Sequence, residues 1–147
     1  MLKNIDPLLN AQLLGALRAM GHGDELCVVD ANFPAASVAG DKALIRLDGV
    51  DVTRAVDAIL SVLPLDTFVE HPVRRMEVVG RPDHVPPVQQ EVQHVVNLQH
   101  GSPTPMGSIE RFAFYEAARH AFAVVATGES RGYGCFLLKK GVILSPE

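Results

Sequence analysis

The sequence predicts an α/β fold in one domain spanning residues 1–147, and three observations carry that prediction. Short aliphatic runs of strand length recur along the chain, at ELCVVD, KALIRL and AFAVVATG. Between them lie stretches whose apolar residues repeat at helical spacing, giving the strand and helix alternation of layered α/β domains. The composition agrees: of 147 residues, 48% are apolar, 20% charged and 5% aromatic, with no Trp, the profile of an aliphatic folded core. A chain of this length buries about two-thirds of its unfolded surface in a single core.

Leu13, Leu14, Leu17 and Met20 repeat at helical spacing, after Asn10 as N-cap and before Gly21, a residue suited to a left-handed stop. The spacing predicts a helix over 10–20. Glu25–Asp30 reads as a buried strand that ends at ANFPAAS, where Asn and Pro stop the pattern. Lys42–Leu47 reads as a second strand, and Asp51 is placed to cap a helix with Val52, Val56, Ile59, Leu60 and Leu63 on one face. Arg74–Val79 predicts a third strand, interrupted by the RPDHVPP loop, since Pro removes donors and fixes φ. Val88, Val92, Val95 and Val96 then predict a helix closed by Gly101 and the SPTPMG turn. The last third reads as a helix over IERFAFYEAARHA with Phe112 and Tyr115–Ala118 inward, a buried strand AFAVVATG, and a final strand GYGCFLLKKGVIL.

Charge and composition exclude several classes. Lys and Arg number 13 against 17 Asp and Glu, a formal charge of −4, so no basic field exists to hold a phosphate backbone and nucleic acid is not an expected partner. The amino terminus breaks its apolar content at Asp6, Pro7, Asn10 and Gln12, which argues against a signal-peptide core. No run approaches the ~18 apolar residues of a membrane span. The two cysteines, Cys27 and Cys135, lack the paired spacing of a disulfide scaffold or zinc ribbon, so a cytoplasmic setting is expected.

Four places carry residues suited to chemistry. His22 stands between Gly21 and Gly23, where a side chain can face a cleft and titrate near neutral pH; the same residues also fit a tight turn with a solvated His. Asp24 reads as a group that closes this turn. Asp30 ends the ELCVVD strand, and the carboxyl ends of α/β strands are where ligands bind; an Asx turn is the equal alternative. Arg111 heads a helix, where a cation is disfavoured by the dipole unless it holds a ligand or pairs with Glu110 or Glu129. Tyr133, in GYGC, offers a hydroxyl at an apolar wall, or is an ordinary strand aromatic, and Cys135 reads as a small core residue rather than a nucleophile. No HExxH and no GxxxxGK[ST] occurs, so neither a metal nor a mononucleotide is expected.

Taken together, MLKNIDPLL, MGHGDELCVVDANFPA, IERFAFYEAARHAFAVVATGE and YGCFLLKKGVI resemble the RbsD/FucU family of sugar-processing proteins, from Met1 to about Ile143. MGHGDE and FAFYE resemble its fucose-mutarotase branch more closely than its ribose-pyranase branch. The resemblance implies a three-layer α/β/α domain with a mixed central sheet, and homo-oligomers built on pentameric rings, often paired into decamers, with sites near subunit contacts. It implies that His22 is the catalytic group and that Asp30, Arg111, Tyr133, Gly134 and Cys135 bind a monosaccharide, with Cys135 standing where the family has Asn.

The implied reaction is interconversion of the α and β anomers of L-fucose or a related pyranose. It moves a proton off the anomeric hydroxyl and one onto the ring oxygen, opens and recloses the ring, and needs no cofactor. A pyranose/furanose isomerase and a sugar-binding protein without turnover are the alternatives that the same residues leave open.

Overall fold

The computed structural model describes residues 1–147. Six strands form one sheet in the order β2-β5-β1-β6-β3-β4. They are β1 Glu25–Val29, β2 Ala43–Leu47, β3 Val73–Met76, β4 Gly107–Ile109, β5 Ala123–Thr127 and β6 Phe136–Lys139. The pairs β1–β5, β2–β5 and β3–β4 are parallel, whereas β6 runs antiparallel between β1 and β3. The sheet is therefore mixed.

Five helices cover it: α1 Ala11–Ala19, α2 Ala35–Ala39, α3 Val52–Leu60, α4 Pro87–His100 and α5 Arg111–Arg119. Alternation along the strands decides which side each serves. Leu26, Val28, Ala123, Val125, Phe136 and Leu138 pack with Leu13 and Leu17 of α1, Val56 and Ile59 of α3, and Val92 and Val96 of α4. Cys27, Val29, Val124, Ala126 and Leu137 face the other way, onto Val38 of α2 and Phe114 and Ala118 of α5. The result is the three-layer α/β/α arrangement expected from the resemblance.

Local chemistry explains where elements start. The Asn10 side chain accepts the Leu13 N–H and that of Asp51 accepts the Arg54 N–H, capping α1 and α3 as predicted. Pro87 occupies the first turn of α4, where a missing N–H costs nothing, and Gly101 ends that helix in the left-handed conformation at φ 85°.

Several sequence expectations are corrected. Gly21 does not end α1 in a left-handed turn: Met20 leaves the helix extended, the Gly21 N–H donates to Asp24 Oδ2 at 2.7 Å, and Gly23 takes the positive φ of 87°. Phe112 points to solvent and Phe114 is the buried ring, because Phe114 and Ala118, four residues apart, form the inward stripe of α5. Leu63 is buried but lies beyond α3. The third strand ends at Met76, since Val78 pairs with Arg81 in a tight turn. The last strand is only Phe136–Lys139; Tyr133 has φ 63° and residues 141–147 carry no regular structure. Helix α2 and strand β4, only five and three residues long, are too short to leave a periodic pattern in the sequence.

Candidate active site

The topology separates the residues singled out above into two groups at opposite edges of the sheet. His22 precedes the first residue of β1 and Asp30 follows its last, and a five-residue strand spans about 16 Å. Because β6 is antiparallel to β1, Tyr133, Gly134 and Cys135 enter β6 at the Asp30 edge. Arg111 follows β4, which runs parallel to β3 and so ends at that same edge.

At the carboxyl edge, Asp30, Phe33, Met76, Arg111, Tyr115 and Tyr133 line a cleft of about 220 Å³ together with Asn32, Gly132 and Cys135. Asp30 is buried. Its Oδ1 accepts the N–H groups of Asn32 and Phe33, each at 3.0 Å, the Asx turn that its position before ANFP suggested. Its Oδ2 accepts the Gly134 N–H at 3.2 Å and the Cys135 S–H at 3.4 Å. A carboxylate offers about four lone-pair sites, so all are occupied, one of them by a weak thiol donor. The Cys135 side chain is buried, and burial pushes its thiol, like that of Cys27, well above the usual range.

Gly134 packs closely here: a Cβ there would lie 3.0 Å from Glu129 Cγ and 3.4 Å from Asp30 Cβ, so a side chain would have to displace one of them. Glu129 is itself buried and ion-paired to Arg131, which also reaches Glu91 on α4. Those two carboxylates raise the Arg131 guanidinium further, and Arg131 in turn holds both carboxyls below their usual range. The ATGESRG segment is thereby fixed by internal charge pairs.

Arg111 pairs with neither Glu110 nor Glu129. Its Nε donates to Tyr115 Oη at 3.0 Å and its guanidinium lies over the Phe112 and Tyr115 rings, 5.4 Å from each centroid. The terminal nitrogens of this exposed side chain make no hydrogen bond within the chain. Tyr133 Oη accepts the Val79 N–H at 3.3 Å, which leaves its own proton to be donated elsewhere.

At the amino edge, His22 Nε2 lies 3.0 Å from Asp66 Oδ1, and the imidazole packs 5.4 Å from the Phe68 ring. Asp66 is buried, and its carboxyl is held below the usual range, first by the Phe68 N–H and then by His22. An ionised carboxylate can only accept, so Nε2 carries the proton toward Asp66, and in the neutral ring that tautomer leaves a lone pair on Nδ1.

Asp66 is the candidate site residue that sequence reasoning missed. It lies in LPLDTF, 44 positions from His22, with no local signal beyond a carboxylate in an apolar stretch. The tail of β6 brings the two together. Lys139 O accepts the Asp66 N–H, Lys140 O accepts the Gly23 N–H, and a Cβ at Gly141 would collide with Leu65 O at 2.4 Å. Lys140 Nζ caps α1 by donating to Leu17 O and Met20 O. No group of three His, Cys, Asp or Glu side chains is arranged to hold a metal ion.

Residues 3–143 match the model of the RbsD / FucU transport protein family. Human fucose mutarotase is 44% identical over 146 residues, covering 97% of this chain and 94% of that protein. The L-fucose mutarotase of Actinobacillus pleuropneumoniae is 40% identical, covering 97% of each chain. The crystal structure of a Streptococcus pneumoniae fucose mutarotase in complex with L-fucose superposes with a TM-score of 0.88 at 38% identity, covering 97% of this chain and all of that one.

Proposed function

The chain belongs to the RbsD/FucU family, and on that premise we propose that it is an isomerase interconverting the α and β anomers of L-fucose. The likeness to fucose mutarotase at 44% identity over 97% of the chain carries this reading. The two groups of side chains supply the chemistry it requires.

His22 is the catalytic group. With Nε2–H directed at Asp66, the neutral ring's Nδ1 takes the proton of the anomeric hydroxyl as the bond between C1 and the ring oxygen breaks, while the Tyr133 phenol gives its proton to that oxygen. The open aldehyde turns about C1–C2, and reclosure on the other face reverses both transfers. Asp66 holds the tautomer and stabilises the imidazolium, the part a carboxylate plays beside any catalytic His. Tyr133, whose Oη already accepts the Val79 N–H, donates to the sugar. Arg111 offers its two free terminal nitrogens to hydroxyls. Asp30 takes a sugar hydroxyl in exchange for the weak Cys135 S–H, and the backbone of Gly134 and Cys135 completes the contact. The mechanism uses no cofactor and no metal.

One chain cannot bring His22 to Tyr133, because the sheet separates them. On this reading the protein acts as a homo-oligomer in which the His22 edge of one copy meets the Asp30 edge of the next; the family resemblance supports a pentamer or decamer, and the unpaired cysteines support a cytoplasmic setting. Each copy contributes a single domain of residues 1–147.

Saturation transfer between the anomeric protons of L-fucose, D-ribose, D-galactose and L-rhamnose tests the reading. Accelerated exchange for L-fucose is the expected result. Acceleration confined to D-ribose would assign the pyranase reaction instead, and broadened sugar signals without faster exchange would reduce the protein to a sugar binder.

A further inference from the structure

We propose that Gln89, on a helix in the layer opposite the cleft, is a positioning residue that sets the direction of the Tyr133 phenol. This rests on the reading of Tyr133 as a group that touches the sugar.

Gln89 is a fully buried amide near the start of α4, with its side chain extended to the carboxyl edge of the sheet. Its Nε2 donates to Met76 O at 2.7 Å and to Tyr133 O at 3.0 Å. Its Oε1 accepts from Arg75 Nη1 at 3.2 Å, and Arg75, also buried, is steadied by donating to Pro82 O at 3.1 Å. A guanidinium can only donate, so Arg75 fixes the orientation of the amide and turns both of its protons toward the two carbonyls.

The Tyr133 carbonyl needs this partner because the residue is strained. At φ 63° Tyr133 occupies the left-handed region, which a bulky L-residue adopts only when its surroundings over-determine it. Three contacts do so: Gln89 on the carbonyl, Asp30 Oδ2 on the next N–H at Gly134, and the Val79 N–H on the phenol oxygen. Of these, only the Gln89 amide grips the backbone of Tyr133 itself. The direction of Cα–Cβ follows from the backbone torsions, so releasing the carbonyl lets φ relax to negative values and swings the ring off the cleft. Met76 borders that cleft, and its carbonyl shares the same amide, so one side chain sets the spacing of two walls.

The test compares Gln89→Met, Tyr133→Phe and the double variant in L-fucose anomer exchange. Gln89→Met keeps the side chain's length and lowers kcat by about tenfold to 10²-fold, the upper figure being that for a reacting group held about an ångström out of place. In the Tyr133→Phe background the same change costs less than about twofold, because a displaced ring without its hydroxyl has nothing left to lose.

A full, multiplicative loss in the double variant, or a wild-type kcat in Gln89→Met, overturns the proposal and leaves the reading of Tyr133 standing. A wild-type rate in Tyr133→Phe overturns that reading and the proposal with it. If Gln89→Met fails to fold, Gln89→Glu takes its place: it keeps the shape and the Arg75 partner, loses both donors, and must show the same coupling. Gln93→Met is the control, since Gln93 binds the 104–106 backbone from the same helix and not Tyr133. An equal loss of kcat there would make the effect one of any hydrogen-bonded amide on α4 and sink the proposal.

Discussion

At the scale of single residues, the imidazole and the thiol are the informative positions. His22 owes its tautomer to Asp66, so Asp66→Asn, which presents an amide in place of an obligate acceptor, is expected to slow L-fucose exchange on the order of 10²-fold with the fold intact. His22→Gln is expected to fall at least as far. Exchange within twofold of wild type in Asp66→Asn, by saturation-transfer NMR, would mean that His22 needs no orienting partner. In the proposed site, the Cys135 thiol, which donates to Asp30 Oδ2, competes with the sugar for that oxygen. Cys135→Ala removes the competitor, and a freed acceptor worth about 0.5–1.5 kcal/mol net corresponds to roughly two- to twelvefold tighter L-fucose binding. Weaker binding in a titration would show instead that the thiol itself serves the sugar.

Among the elements, α5 carries a dependence on pH that can be tested by itself. Glu110 caps it, with its carboxylate accepting the N–H groups of Phe112 and Ala113, and those bonds hold its carboxyl below the usual range. The native pKa is the lowered one, so the contribution is complete above the unfolded value of about 4.3 and is lost as pH falls through the native value. Glu110→Gln should therefore be less stable than wild type at pH 7, with the gap closing below about pH 4. Urea midpoints at pH 7, 5 and 3 measure this. A gap unchanged at pH 3 would assign the effect to shape rather than charge. The same helix shows why Phe114, not Phe112, belongs to the core: the packed stripe is set by what α5 faces, namely Cys27, Val124 and Leu137 on the sheet.

For the whole molecule, the proposed site is made between copies, and mixing variants measures that directly. His22→Gln supplies an intact Tyr133 edge and Tyr133→Phe an intact His22 edge. Co-refolded in equal amounts, they should recover about a quarter of wild-type exchange, since that share of random contacts joins two intact edges. Separately refolded proteins, mixed after assembly, should stay inactive. No recovery on co-refolding, with sedimentation confirming mixed oligomers, would place the whole site within one chain. A monomer of 15.8 kDa in sedimentation would have the same consequence.

The class of fold is legible in the sequence alone, because aliphatic strand runs and the Asn10 and Asp51 caps act over a few residues and leave local marks. The combined motifs also led to the family and to His22, Asp30, Arg111 and Tyr133 as positions of interest. The features with no local mark depend on pairings far apart in the chain. The partner of His22 lies 44 residues away, and Gly134 meets Asp30 across 104. Gln89 and Arg75 look in the sequence like surface polar residues, yet they are buried, because packing α4 against the edge of β3 removes them from water and leaves them only each other and three backbone carbonyls to bond. The antiparallel insertion of β6 between β1 and β3 likewise has no local signature. It places His22 and Tyr133 at opposite edges of one sheet, since strand direction fixes which end of each strand a loop leaves from.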